Sequence, residues 1–348
     1  MLELVDKLEK QTILEKDELI KLIENYDNEE LREYLFEVAR KVKKEHYGND
    51  VYIRGIVEFS NYCQQDCFYC GIRKSNQNVE RYRLNIADIL QSCQNGYELG
   101  FRTFVLQSGE DAYFDDDKLI EVIKEIKNQY PDCAITLSVG ERSYESYKKL
   151  YNAGADRYLL RHESANDEHY SKLHPDNLSL QNRKQCLYDL KEVGFQVGCG
   201  FMVGSPYQSA SCLADDLLFI HDLQPAMVGI GPFISHKDTP FNGKESGTSS
   251  LTTFMMALTR LIVPTVLLPA TTALGSIDPQ GREKGIQAGG NVVMPNLSPL
   301  NTRKNYLLYD NKICIDDKPS DCKDCINARI ESTGNKIVIG RGDVVSNK

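Results

Sequence analysis

The chain has 348 residues, 41% of them hydrophobic, and a formal net charge of −9. That apolar content supports a sizeable core and excludes a disordered chain, and the length fits one α/β barrel with extensions. The acidic balance, without a long basic run, argues against a nucleic-acid partner, since phosphate binding needs clustered Lys and Arg.

Residues 1–48 read as a helical N-terminal cap. Leu2, Val5 and Leu8, then Leu19, Leu22 and Ile23, then Leu31, Leu35 and Val38 recur at helical spacing. The segment is charged throughout and lacks the apolar stretch of a secretory signal. The longest apolar run, 258–268, is interrupted by Arg260 and Pro264, so no membrane span is predicted. A cytoplasmic location is expected.

Residues 49–300 alternate short apolar runs with helical patterns. Strands are predicted at 51–59, 102–108, 133–139, 156–162, 195–203, 226–233, 266–271 and 291–296. Helices are predicted at 88–99, 116–129, 143–153, 180–193, 211–222, 250–262 and 280–288. Strand–helix alternation implies parallel βαβ units. Eight of them over about 250 residues imply a (β/α)8 TIM-type barrel, with a doubly wound open sheet as the alternative. Residues 301–348 form a polar C-terminal extension.

Eleven cysteines are present, and in a reducing compartment they are expected as thiols or metal ligands. Cys63, Cys67 and Cys70 are spaced C-x3-C-x2-C just after the first strand. Thiolates so close on one loop suit a four-iron cluster. With three protein ligands, one iron stays open, which makes such a site chemical rather than structural. The competing reading is a zinc knuckle, although no His lies within the segment. Cys314, Cys322 and Cys325 form a second triad, C-x7-C-x2-C. It suggests a second iron–sulfur cluster, 2Fe-2S or 4Fe-4S, or else a zinc site or plain thiols. Cys93, Cys133, Cys186, Cys199 and Cys212 are scattered and read as core packing.

Barrel enzymes place their chemistry at the C-terminal ends of the strands. Those ends carry Ser60, Gln107 to Asp111, Ser138 with Glu141, Arg161 to Glu163, Met202, Gly231, Thr271 with Thr272, and Asn296. Singly, each reads as a loop cap, and Arg161 with Glu163 as a structural ion pair. Jointly, on the rim that bears the first cysteine triad, they mark an active site.

The pattern Cys63-x3-Cys67-x-Tyr69-Cys70 resembles the radical S-adenosylmethionine superfamily motif. The segments at 57–73, 105–113, 135–141, 154–166, 227–240, 269–277 and 291–296 resemble one family within it, the [FeFe]-hydrogenase maturases HydE. The resemblance implies a 4Fe-4S cluster on Cys63, Cys67 and Cys70. It implies S-adenosylmethionine bound by Ser138, Glu163 and Arg183. It implies a substrate cavity faced by Gln107, Arg161, Thr271, Thr272 and Tyr309. It also places Gly229 to Gly231 beside the adenine and makes the tail triad an accessory cluster. The implied activity is reductive cleavage of S-adenosylmethionine to a 5′-deoxyadenosyl radical. That radical would act on a small iron complex with cysteine, carbonyl and cyanide ligands, during assembly of the diiron subsite. The implied partners are the maturases HydG and HydF and an unidentified electron donor. Arg54, Arg161 and Arg183 would make the pocket cationic, unless Arg54 pairs with Glu58. The alternatives are a biotin synthase-like or methylornithine synthase-like enzyme. Biotin synthase needs strand cysteines inside the barrel, for which only Cys133 and Cys199 are candidates. A non-catalytic iron–sulfur scaffold is the alternative of another class.

Overall fold

The computed structural model describes residues 1–345, and for Asp321 and Cys322 the backbone alone. Three helices open the chain, α1 (Leu2–Gln11), α2 (Lys16–Glu24) and α3 (Glu29–Tyr47). The strands follow as β1 (Asp50–Ile53), β2 (Gly55–Ser60), β3 (Thr103–Ser108), β4 (Ala134–Ser138), β5 (Arg157–Leu159), β6 (Gln196–Val203), β7 (Met227–Pro232), β8 (Val292–Val293) and β9 (Lys336–Val338). Between β2 and β7 run α4 (Ile86–Glu98), α5 (Asp116–Gln129), α6 (Tyr144–Asn152), α7 (Asp167–Leu173), α8 (Leu180–Val193) and α9 (Ala210–Leu223). Then come α10 (Ser249–Ile262), α11 (Thr272–Ile277), α12 (Gly281–Gln287), α13 (Leu300–Arg303) and α14 (Pro319–Glu331).

The helix starts are written locally. Asn85, Asp115, Ser143, Ser179, Ser209 and Thr248 each accept a hydrogen bond from the backbone N–H three residues on. Each satisfies one of the donors a helix start leaves free. The apolar stripes of the first three helices are buried, with α2 against α9 and α3 against α10. No helix among the described residues is long and apolar enough to cross a membrane.

Strands β2 to β7 form a parallel sheet in chain order. The ring is closed by short parallel bridges, Met227 to Leu267, Pro269 to Val292 and Ile56 to Asn296. The architecture is therefore a TIM-type α/β barrel with six regular staves and two irregular ones. The seventh predicted strand, 266–271, survives only as bridges, because Pro269 offers no N–H to a ladder. The first, 51–59, is two strands: β2 joins the barrel, while β1 sits between β8 and β9 in a small second sheet.

The break falls at Arg54, and it corrects one expectation. Arg54 does not pair with Glu58, since four residues of strand separate two side chains by about 13 Å. Arg54 is buried at the barrel floor, where its Nη1 lies 3.0 Å from the Met227 sulfur and its Nη2 donates to the Gly342 carbonyl at 3.1 Å. Glu58 lies at the opposite end and pairs with Lys312 at 2.6 Å.

The floor itself is built by residues 341–343, which no sequence pattern announces. After β9, the Arg341 carbonyl accepts from Thr103 Oγ1 and Arg157 Nη2, both at 2.8 Å. Asp343 pairs with buried Arg157 and accepts from Gln196 at 2.9 Å. Burial disfavours the Asp343 carboxylate, but Arg341, Arg157 and Gln196 outweigh it and hold its pKa below the usual range. A depressed carboxylate contributes stability above its unfolded value of about 3.9 and loses it as pH falls through the folded value. Asp343→Asn should therefore cost about 1–2 kcal/mol at neutral pH, discounted for partial exposure. The gap between variant and wild-type melting temperatures should begin to narrow below about pH 4 and keep narrowing as pH falls towards the folded value, which thermal unfolding across pH measures.

Candidate active site

A cavity of about 330 Å3 opens at the C-terminal ends of the strands and is lined by Cys63, Cys67 and Cys70 together. TIM barrels usually fill their interior with bulky side chains. This one is hollowed by glycine: a Cβ at Gly229 would find only the Cys199 carbonyl, 3.8 Å away. Cys199 lies between Gly198 and Gly200 on β6 and is fully buried in the core. Neither it nor Cys133 lines the cavity.

The cysteine loop is tied down on every side. Arg81 reaches through it and donates to the carbonyls of Asn61, Ile72, Arg73 and Asn76. Gln64 N donates to the Glu110 carbonyl at 2.9 Å, and Gly71 N to the Leu308 carbonyl at 2.8 Å. Ser60 Oγ donates to Asp111 at 2.6 Å. Arg83 holds Asp111 through two nitrogens and lies 3.7 Å from the centre of the Tyr62 ring. The spacing of the cysteines is visible in sequence, but Arg81 and Arg83 carry no motif that would single them out.

Burial pushes all three thiols up, Cys67 to about 12; Cys63 raises Cys67 further, and Cys67 and Cys63 raise Cys70. Three thiolates side by side therefore need a positive centre among them. Among the described residues, no three His, Cys, Asp or Glu side chains converge on a single ion-sized point. The donor set, three Cys on one loop with no His in the segment, suits a multi-iron cluster, which gives each sulfur its own metal.

Arg161, Glu163 and Arg183 line the same cavity, and two charged pairs hold them. Arg183 Nε lies 2.6 Å from Glu141 Oε1, and its Nη1 donates to the Arg161 carbonyl at 3.2 Å. Burial opposes the Arg183 charge, but Glu141, Tyr170, Glu110 and Tyr69 together outweigh it, so its pKa is raised. Arg161 Nη2 lies 3.1 Å from Glu163 Oε2 and donates to the Phe201 carbonyl at 2.8 Å. Glu163 stands at φ 62°, rare for a residue with a side chain. Its N–H donates to the Gly200 carbonyl at 3.0 Å, which fixes that turn. Glu110 accepts from Gln65 at 2.6 Å and packs on Gly140, where a Cβ would lie 1.9 Å from Glu110 Cγ.

Ser138, Glu163 and Arg183 thus share one cavity with the cysteines, as do Gln107, Arg161, Thr271 and Tyr309. Thr272 does not line it: it begins α11, and Thr271 is that helix's cap. Arg54 is also absent from the lining, being on the floor. Met202, expected at the rim from its strand end, and Tyr69 of the cysteine motif line the cavity too, as does Tyr306, which no strand-end pattern singles out. Gln107 Nε2 donates to Tyr306 Oη at 3.3 Å. In the tail, Cys314 is partly buried, 3.7 Å from Arg282 Nη2, and Cys325 is exposed. The Cys322 side chain lies outside the described residues.

Residues 57–220 match the Radical SAM superfamily. The chain is 44% identical to the [FeFe] hydrogenase maturase subunit HydE of Thermotoga maritima, covering 96% of this chain and 94% of that one. It is 29% identical to a 3-methylornithine synthase of Methanosarcina acetivorans, over 91% and 89% of the two chains. The crystal structure of the methylornithine synthase PylB superposes with a TM-score of 0.83 at 26% identity, covering 96% of this chain and 97% of that one.

The loop geometry is testable without any cofactor. A Cβ at Gly109 would lie 2.3 Å from the Tyr62 carbonyl oxygen and 2.7 Å from Cys63 Cβ. Gly109→Ala should push the loop outward, cost about 1–3 kcal/mol and speed labelling of Cys63 by a thiol reagent. Gly340→Ala, with nothing within 4 Å of its Cβ, should leave both unchanged.

Proposed function

The chain belongs to the HydE family of radical S-adenosylmethionine enzymes, and we propose that it acts in [FeFe]-hydrogenase maturation on a small iron complex carrying cysteine, carbonyl and cyanide ligands. The observation that carries this reading is the convergence of Cys63, Cys67 and Cys70 with Ser138, Glu163, Arg183, Gln107, Arg161, Thr271 and Tyr309 on one cavity. The likeness to the Thermotoga HydE over nearly the whole chain supports it.

On this reading, Cys63, Cys67 and Cys70 hold a 4Fe-4S cluster, and Ser138, Glu163 and Arg183 hold S-adenosylmethionine. Together these groups supply a one-electron cleavage of a carbon–sulfur bond that leaves a 5′-deoxyadenosyl radical. The protein's own part is placement and exclusion of water. Arg183, fixed by Glu141, presents a buried cation to the methionine carboxylate. Glu163, held at its turn, presents an acceptor to the ribose hydroxyls. Both charges have protein partners already, so the buried site is not left with naked charge. Gln107, Arg161, Thr271 and Tyr309, with Thr272 just behind, face the substrate. Arg161 and Arg183 favour an anionic one.

The same reading takes HydG as the source of the complex and HydF as the recipient, with a separate protein supplying electrons. Cys314, Cys322 and Cys325 form an accessory cluster site outside the cavity. The helices of residues 1–48, the barrel of 49–300 and the extension of 301–348 act as cap, catalytic body and cover, in the cytoplasm.

The test has two levels. After anaerobic reconstitution with iron and sulfide, dithionite and S-adenosylmethionine should give 5′-deoxyadenosine, and Cys70→Ala should reduce it to background. Equal product from both proteins would overturn the cluster assignment. In cells expressing an [FeFe]-hydrogenase with HydF and HydG, omitting this chain should abolish hydrogenase activity. Tyr309→Phe should lower that activity while leaving 5′-deoxyadenosine formation near wild type. Full hydrogenase activity without the chain, together with formation of methylornithine by it, would favour the methylornithine synthase reading.

A further inference from the structure

Short helix α7 runs from just after the turn bearing Glu163 to the cysteine loop. Its cap, Asn166, follows Glu163 closely in the chain, and the helix ends against the cysteine loop, where Phe68 N donates to the Leu173 carbonyl at 3.0 Å. The next residue, His174, is 2% exposed. Its Nδ1 lies 2.9 Å from the Tyr170 carbonyl oxygen and its Nε2 lies 3.1 Å from the Tyr69 hydroxyl.

These two contacts settle the tautomer. A carbonyl only accepts, so Nδ1 carries the proton, and Nε2 is left to accept from the Tyr69 O–H. Burial keeps the imidazole neutral, with its pKa pushed down to about 3. The ring is held on both sides as well. It stacks on Tyr170 with centroids 4.0 Å apart, and Tyr69 meets it edge-on at 5.4 Å. Tyr69 is a cavity wall between Cys67 and Cys70. Its hydroxyl also reaches the Cys67 thiol, and its ring packs on the apolar cluster of Leu173, Met202, Phe233 and Phe241. The apolar contacts fill space but do not choose an orientation.

We propose that His174 is a positioning residue for S-adenosylmethionine: as the Nδ1–H tautomer it accepts the Tyr69 hydroxyl and fixes the ring that forms the cysteine-loop wall of the cavity. It thereby ties that wall to the turn bearing Glu163 through the length of α7. The proposal rests on the reading of the cavity as the S-adenosylmethionine site, and the first arm of the experiment tests that reading separately.

Wild-type protein loaded with iron and sulfide is titrated with S-adenosylmethionine, following the electron paramagnetic resonance signal of the reduced cluster. A signal unmoved by S-adenosylmethionine overturns the cavity reading and leaves the Tyr69–His174 contact without this role. Given a response, Tyr69→Phe and His174→Asn should each weaken binding about fivefold, the worth of one hydrogen bond of about 1 kcal/mol. The Asn amide can still serve Tyr170 but does not reach Tyr69. His174→Gln, whose amide oxygen can occupy the Nε2 position, should restore binding to within about twofold. The double variant Tyr69→Phe with His174→Asn should bind no worse than either single one. The rise should appear in KM for S-adenosylmethionine, while turnover at saturating S-adenosylmethionine stays nearly unchanged. Additive losses of about 25-fold, or no rescue by Gln, would overturn the proposal. If His174→Asn fails to take up iron, Tyr69→Phe decides alone, since it removes one oxygen and no packing: unchanged binding in it overturns the proposal.

Discussion

The site depends first on one guanidinium. Arg81 donates to carbonyls from both limbs of the cysteine loop, Asn61 at its start and Ile72, Arg73 and Asn76 at its end. That closes the limbs on each other and leaves the three cysteines on the enclosed arc. Hydrogen bonds from a charged donor contribute about 1.5–3 kcal/mol each, so four of them can outweigh the cost of partly desolvating the cation. Burial does pull the Arg81 pKa down, and the charges of Cys63 and Cys70 pull it back up. The cation that shapes the loop thus also favours the Cys63 thiolate, while Arg183 does so for Cys67.

The barrel solves a second electrostatic problem. An open interior could admit water and ligands but also leaves charged side chains in a low-dielectric setting. The two arginines of the cavity wall are each paired with a glutamate, Arg161 with Glu163 and Arg183 with Glu141. The partners come from β-strand ends and from α8, so strand register and helix placement must both be right before either pair can form. Register does this without dedicated contacts: Glu58, Gln107 and Ser138 are consecutive cross-strand partners, which puts three polar side chains at one height on the mouth.

That layered order explains what the sequence discloses. The cysteine spacing, the helix caps and the polar strand ends are local, and each is legible in the chain alone. So is the joint position of Ser138, Glu163, Arg161 and Gln107, because strand ends of a barrel share a rim. Contacts over long separations are not legible. Lys312 meets Glu58 across 254 residues, and Arg157 meets Asp343 across 186. Arg54 misleads for a related reason: nearness in sequence to Glu58 suggests pairing, whereas a strand carries the two to opposite ends. Thr272 misleads because one step along the chain turns a side chain from the cavity into a helix. His174 is silent in the sequence because a histidine before a proline is ordinary until its two nitrogens have partners.

The C-terminal extension closes the cavity region at both ends, and this divides the labour along the chain. Leu308 seals against Gly71 of the cysteine loop, Lys312 is anchored on Glu58, and Tyr306 and Tyr309 roof the cavity. Further on, the same chain returns as β9 beside β1 and crosses the floor through Arg341 to Asp343. The superfamily segment, 57–220, contains the three cysteines, Ser138, Glu163 and Arg183. Thr271, Tyr306, Tyr309 and Lys312 all lie beyond it. On the proposed reading, then, the first part of the barrel supplies the parts common to radical generation. The last two staves and the extension shape the space in which a substrate must sit. Those staves are also the irregular ones, held by bridges rather than ladders. Fewer ladder hydrogen bonds fix their backbone, and it is there that a barrel can change its cavity without disturbing the cluster loop.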